Sequence, residues 1–326
     1  MGIGEVAGLA TAAVWAAASL LYGRSRLNAW QINMAKNVIA GSIFFLQILT
    51  LGLLRGDLGL QGTWTSVGWL LVSGVIGVTV GDTFYLRSLQ ILGPRLALIV
   101  STAAPAFGGI LGWLVLGRPV TALLWVGMMT TVTGVIWVVS KSKGHSESPG
   151  LYPGRLATGV VMGLLSALCQ ALGGVASILG MGPDGCTPLE ASFVRISMAA
   201  LVMMLLTPQL VVPTFRRVIS ADLRLKLIPA VVLGTWLGIW FSQIAFNYSH
   251  VAIALTLQST TPLFVLPMVW YFDSQRITYT VIAGTCMAVL GVALTVSVPV
   301  EAVDDSAKPK AGSESRMRSE SRSILE

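Results

Sequence analysis

The sequence predicts an all-α membrane protein with ten transmembrane helices arranged as two inverted repeats of five. Three observations carry this reading. Charge is sparse, uncharged runs recur at the length of a membrane crossing, and the second part of the chain repeats the first. Of 326 residues only 11% are charged and 54% are hydrophobic, with mean hydropathy +0.78. A soluble globular protein carries about 25% charged residues, and this chain has too few to wet its surface.

Residues 96–117 and 119–140 are uncharged runs of 22, and 58–81 and 277–300 are runs of 24. A helix needs about 20 apolar residues to cross roughly 30 Å of hydrocarbon, so each run is a full crossing. The uncharged run 227–272 numbers 46 residues. As one helix it would reach about 69 Å at ~1.5 Å per residue, so it must turn once, at Asn247-Tyr248-Ser249-His250. In chain order the predicted helices are 3–22, 31–53, 66–86, 95–116, 119–140, 156–180, 189–212, 226–246, 251–272 and 277–298. Trp30, Trp64, Trp69, Tyr152 and Tyr271 fall near proposed ends, where aromatic belts sit. Met1-Gly2-Ile3-Gly4-Glu5 lacks the basic start of a cleavable signal. Beyond Pro299 the composition turns polar. Residues 301–326 hold 5 basic and 6 acidic side chains, and 299–326 reads as a disordered tail.

Sliding the chain by 157 residues aligns 94–140 with 251–297 without a gap, with 12 of 47 positions identical. The matches include Pro105/Pro262, Trp113/Trp270, Gly127/Gly284 and Gly134/Gly291, and Gly77/Gly234 and Gly81/Gly238 continue the register upstream. The chain therefore divides into 1–141, a linker 142–153, a second repeat 154–298, and the tail. Five spans per repeat is an odd number, so the second repeat enters the membrane from the opposite side. Inverted repeats of this kind are a recurring build of secondary transporters, with the solute site at the repeat interface near mid-membrane.

The segments "PRLALIVSTAAPAFGGILGWLVLG" and "VGMMTTVTGVIWVV", with their counterparts "VAIALTLQSTTPLFVLPMVWYF" and "AGTCMAVLGVALTV", resemble the EamA-like transporters of the drug/metabolite superfamily. The resemblance covers residues 4–298. It implies transport of amino acids, drugs or other small metabolites, often outward and without ATP, in a bacterial plasma membrane. Its motifs are small and apolar, which specifies a fold better than a solute. One departure is visible. Family members often carry Gly-Glu after the fourth and ninth spans, where this chain has Gly117-Arg118 and Ser274-Gln275.

Polar groups at mid-bilayer mark candidate sites, because an ionisable side chain there costs at least ~2.5–3.5 kcal/mol. Lys36 in span two and Asp82 in span three lie at similar depth and can pair. Either the pair fixes two helices, or it binds solute or a coupling proton. Arg195 is the counterpart of Lys36 in the second repeat, but Asp82 shifted by 157 is Ile239. Arg195 is thus left with Glu5, backbone carbonyls, or an anionic group such as a carboxylate. Tyr85, Thr102, Gln170, Gln243 and Gln258 complete the candidate substrate-binding or coupling set. Thr102 and Gln258 precede Pro105 and Pro262, each of which frees backbone carbonyls and kinks its helix. For any one of these residues the plainer role is an interhelical hydrogen bond.

Several functions are excluded. No Gly-rich loop ends in Lys-Ser/Thr, so ATP hydrolysis is not expected. With two histidines, His145 and His250, no metal site and no cofactor is expected. An integral-membrane enzyme would need a clustered catalytic constellation, and a scaffold or sensor a partner domain. Neither is visible. The expected partners are a small solute, a proton where transport is proton-coupled, and lipid, with the protein a monomer or homodimer. A nucleotide-sugar or sugar-phosphate exchanger of the same superfamily is the competing reading.

The net charge of +7 does not imply nucleic acid. The tail contributes −1 (5 basic minus 6 acidic) and the rest +8 (16 minus 8). Twelve of those sixteen basic residues lie in loops after odd-numbered spans; Arg55 and Arg118 alone lie in loops after even-numbered ones. By the bias of Lys and Arg towards the cytoplasm, the odd loops are inside and both termini outside, whereas the family resemblance implies termini inside. The loop charges predict that a tag on Glu326 is cut by protease added outside intact cells; cutting from the cytoplasmic side alone reverses the assignment.

Overall fold

The computed structural model describes residues 2–23, 25, 27–57, 59–118, 120–141, 156–273 and 279–297; the expected linker 142–153 and tail 299–326 lie outside them. Every regular element among these residues is helical. The first repeat contains α1 (Ile3–Gly23), α2 (Ala29–Arg55), α3 (Trp64–Ser73), α4 (Asp82–Ser101), α5 (Ala104–Leu116) and α6 (Ala122–Lys141). The second contains α7 (Leu156–Gly180), α8 (Pro188–Leu206), α9 (Pro208–Val218), α10 (Ala221–Ala230), α11 (Gly238–Tyr248), α12 (Val251–Gln258), α13 (Thr261–Asp273) and α14 (Tyr279–Val296).

Six helical stretches are long and apolar enough to cross a membrane: Ile3–Tyr22, Ala29–Arg55, Trp64–Gly93, Ala157–Gly180, Pro188–Leu206 and Arg224–Tyr248. Four shorter apolar helices, Ala104–Leu116, Ala122–Trp137, Val251–Val265 and Ile282–Leu294, lie where the sequence puts its other spans. Phe45, Leu54, Leu114, Leu205 and Leu290 are large, apolar and exposed. A surface so apolar is one that lipid covers, and the chain is a multi-pass membrane protein.

One predicted span needs correction. The helix expected over 189–212 ends at Leu206, and Thr207 breaks it at φ −138°, ψ 57°. Pro208 has no N–H to continue the ladder, so it starts the separate helix α9 instead.

The repeat recurs in irregularities that hydropathy does not reveal. A π-helical turn, Gly74–Gly81, joins α3 to α4, and its counterpart Val231–Leu237 joins α10 to α11, 157 residues on. The break between α4 and α5 at Thr102-Ala103 recurs between α12 and α13 at Ser259-Thr260. Both α2 and α8 open with a capping box, Asn28 with Gln31 and Thr187 with Glu190, which satisfies two of the orphan N–H groups of each first turn.

The repeats interlock by exchanging partners. Helix α1 packs on the π turn of the second repeat, and α7 on the π turn of the first. Ser73 Oγ of α3 donates to Gly173 O of α7 at 2.6 Å. Helices α6 and α14 pack reciprocally: Gly134 lies against Gly284 and Ala288, and Gly291 against Thr131. Small residues here let the two backbones approach, as membrane helix interfaces require. A Cβ on Gly134 would sit 2.5 Å from Ala288 N and 2.8 Å from Gly284 O, both backbone atoms. At Gly68 a Cβ meets nothing within 4 Å. Gly134→Val should therefore destabilise the protein by about 2–3 kcal/mol, read as a lower unfolding temperature in detergent, while Gly68→Ala leaves it unchanged or raised. Equal behaviour of the two variants would show that α6 and α14 do not pack as described.

Candidate functional site

The first wall of the site is built on the π turn. A π turn is wide, and carbonyls on it lose their ordinary i+4 partners. Asn33 of α2 collects those of Val78 and Thr79, with Nδ2 at 2.9 and 3.2 Å, and also reaches Thr83 Oγ1 at 2.8 Å. That clamp holds α2 against the exit of the turn, where Asp82 begins α4. Lys36, one helical turn beyond Asn33, then meets Asp82: Nζ donates to Oδ2 at 2.6 Å and to Asn37 Oδ1 at 3.2 Å. The Lys36 side chain is 6% exposed and that of Asp82 20%, so the carboxylate is the wetter partner.

The opposite wall is α1 on the second π turn. Trp15 Nε1 donates to Gly234 O at 2.9 Å. Tyr22 Oη donates to Ala230 O at 3.1 Å and lies 2.9 Å from Thr235 Oγ1. Gly238 carries no Cβ because the Trp15 indole occupies that space.

Between these walls lies a cavity of about 110 Å³. One water needs only ~10–15 Å³ of such space, so the cavity has room for a small solute. Of the eight residues expected from the sequence, Lys36, Asp82, Tyr85, Thr102, Gln170 and Gln258 line it. A smaller chamber of about 30 Å³ adjoins it, sharing Trp15, Asp82, Gln170, Ile239 and Gln258, and Arg195 lines this chamber. Gln243 lines neither. It is wholly buried, and both its amide atoms are without a hydrogen-bond partner among the described residues.

Arg195 does not pair with Glu5. Glu5 is engaged by Gly2 N and by Ser249 Oγ. The guanidinium is buried, and its Nε and Nη1 have no hydrogen-bond partner among the described residues. Gln258 donates from Nε2 to Ser242 Oγ at 3.1 Å, while its Oε1 is also unmatched. Cys186, in the loop before α8, has its thiol pushed above the usual range, first by burial and then by the Glu190 charge. It is a poor nucleophile for that reason.

Trp15, Ser19 and Tyr22 also line the cavity and were not among the expected residues. Their spacing of i, i+4, i+7 puts them on one helical face, and that polar-aromatic stripe was the available signal.

Removing one partner of a buried ion pair leaves the other charged and unmatched, at a cost of about 3–5 kcal/mol. Lys36→Met and Asp82→Asn should each lower stability by about 3 kcal/mol, and the double variant by clearly less than the sum. Additive losses, measured by thermal unfolding in one detergent, would show that the two charges do not interact.

The sequence profile of the EamA-like transporter family matches residues 2–140 and 157–297. A search of curated proteins finds no match. A solved structure titled "Crystal structure of protein" superimposes with a TM-score of 0.69 at 14% identity, covering 91% of this chain and 99% of the other. At that identity the likeness concerns the fold alone. Two matched segments, one per repeat, span nearly all of the chain outside its linker and tail, and the chain belongs to the EamA-like transporter family.

Proposed function

We propose that the chain is a secondary transporter moving a small organic solute by alternating access, with ten spans in two inverted repeats. In this reading the six long apolar stretches and four shorter apolar helices are the ten crossings. The observation that carries it is a cavity lined from both repeats, by α1, α2 and α4 on one side and by the second π turn and α12 on the other, with a Lys36–Asp82 ion pair in its wall. A cavity between similar halves is what alternating access uses, since each half can take the other's role. The helix breaks before Pro105 and Pro262 lie at its edge and supply points at which the walls bend.

Asp82 is the proposed coupling group. Protonating it removes the partner of Lys36, so a proton and a solute compete for, or cooperate at, one ion pair. The likeness to the family supports outward movement. No observation favours an exchanger of nucleotide sugars or a scaffold without transport.

Purified protein in proteoliposomes should carry at least one of a panel of radiolabelled amino acids and small organic acids faster than protein-free vesicles, without ATP. An imposed pH gradient should change the rate. Asp82→Asn should keep binding but lose the dependence on the gradient. Wild-type rates with an unchanged gradient response in Asp82→Asn would remove Asp82 from coupling.

A further inference from the structure

Three charged side chains line the two adjoining chambers: Lys36, Asp82 and Arg195. Lys36 pairs with Asp82 across 2.6 Å, and the Asp82 charge also acts on Arg195, so one carboxylate faces two cations. Arg195 remains, with two of its nitrogens unmatched among the described residues. Gly77 packs against its Nη2, where a Cβ would come within 3.1 Å. A buried guanidinium with free donors is costly unless an acceptor arrives. The planar fork of Arg is matched by a planar carboxylate, which it holds through two parallel hydrogen bonds.

We infer that the small chamber at Arg195 receives the carboxylate of the solute, and that the solute is an organic monoanion whose apolar body lies in the larger chamber against Trp15, Tyr22 and Tyr85. This rests on the transport reading above. Charge balance sets the monoanion. A zwitterion would leave the excess positive charge in place, a cation would double it, and a phosphate ester carries about −1.5 to −2 where one charge is missing. The chamber beside Arg195, about 30 Å³, has room for a small group only.

Four probes on one body separate these cases: phenylacetate (anion), phenylacetamide (neutral), phenylalanine (zwitterion) and 2-phenylethylamine (cation). Binding of radiolabelled phenylacetate to the purified full-length protein in detergent is measured, with the others as competitors. Binding is used because weak acids cross bilayers unaided. Phenylacetate should bind at least tenfold more tightly than each of the other three. Arg195→Gln should abolish that preference and Arg195→Lys should keep part of it. An arginine with a structural role alone would change all four affinities alike. Should Arg195→Gln fail to fold, the wild-type competition series and Arg195→Lys decide. Equal competition by any of the three, wild-type binding in Arg195→Gln, or no binding of either phenylacetate or the aliphatic hexanoate overturns the inference. Flux of another solute without phenylacetate binding defeats this inference and leaves transport standing. Phenylacetate binding by a protein that moves no solute defeats the transport reading instead.

Discussion

Backbone carbonyls and N–H groups have no water to turn to inside a bilayer, so each departure from an α-helix needs a partner supplied by the protein. The site is organised around that constraint. Two π turns stand in corresponding places of the repeats. Asn33 takes the carbonyls of Val78 and Thr79 in the first repeat. In the second, Trp15 takes that of Gly234 and Tyr22 that of Ala230, the last residue of α10 before the turn. The side chains that close the irregularities are thus the ones that hold α2 and α1 in place, and those two helices form facing walls. At the second helix break, Thr260 and Thr261 bond back to Leu257 O and Gln258 O, so the kink before Pro262 is also satisfied locally. Irregular backbone at this depth is tolerated where it lines a cavity, and here it does.

The two repeats use this shared frame differently. In the first, the π turn delivers Asp82 to Lys36. In the second, Ile239 stands at the corresponding place, and the basic residue of α8 has no acid of its own. The first repeat therefore carries an ion pair, and the second a basic side chain whose charge interacts with Asp82 of the first repeat. A duplicated frame with unequal chemistry lets the cavity distinguish one end of a solute from the other. The aromatic side chains of α1 make the asymmetry larger.

Much of this was legible in the residues. Lys36 and Asp82 stood out because charge is rare in apolar runs, and their depth followed from counting residues from helix ends. The repeat showed because prolines, tryptophans and glycines are constrained by geometry and so kept their register. The π turns were not legible. An extra residue in a turn leaves hydropathy unchanged, and Gly77, Gly81, Gly234 and Gly238 signalled close packing without saying what packed there. Trp15 and Tyr22 were missed for another reason: an aromatic in an apolar helix reads as packing, and only the partner carbonyls reveal its polar end. Gln243 was expected at the cavity because it is polar at mid-span. Its complete burial away from both chambers could not be read from its own helix. The apolar run continues past Pro208 to residue 212, so hydropathy alone does not show the break that Pro208 imposes.

The proposed coupling and the proposed anion site act on one charge balance. With Asp82 ionised, the chambers hold one excess positive charge. With Asp82 protonated they hold two, and Lys36 keeps only the neutral acceptor Asn37 Oδ1. An anion is then bound more tightly, and by linkage a bound anion makes protonation of Asp82 easier by the same factor. Proton and anion are thereby made to favour each other's binding, without any contact between them. The sign follows from three residues alone. It would reverse for a cationic solute, which gains from an ionised Asp82 and would expel the proton, so the identity of the solute's charged end and the sense of coupling to a pH gradient are one question.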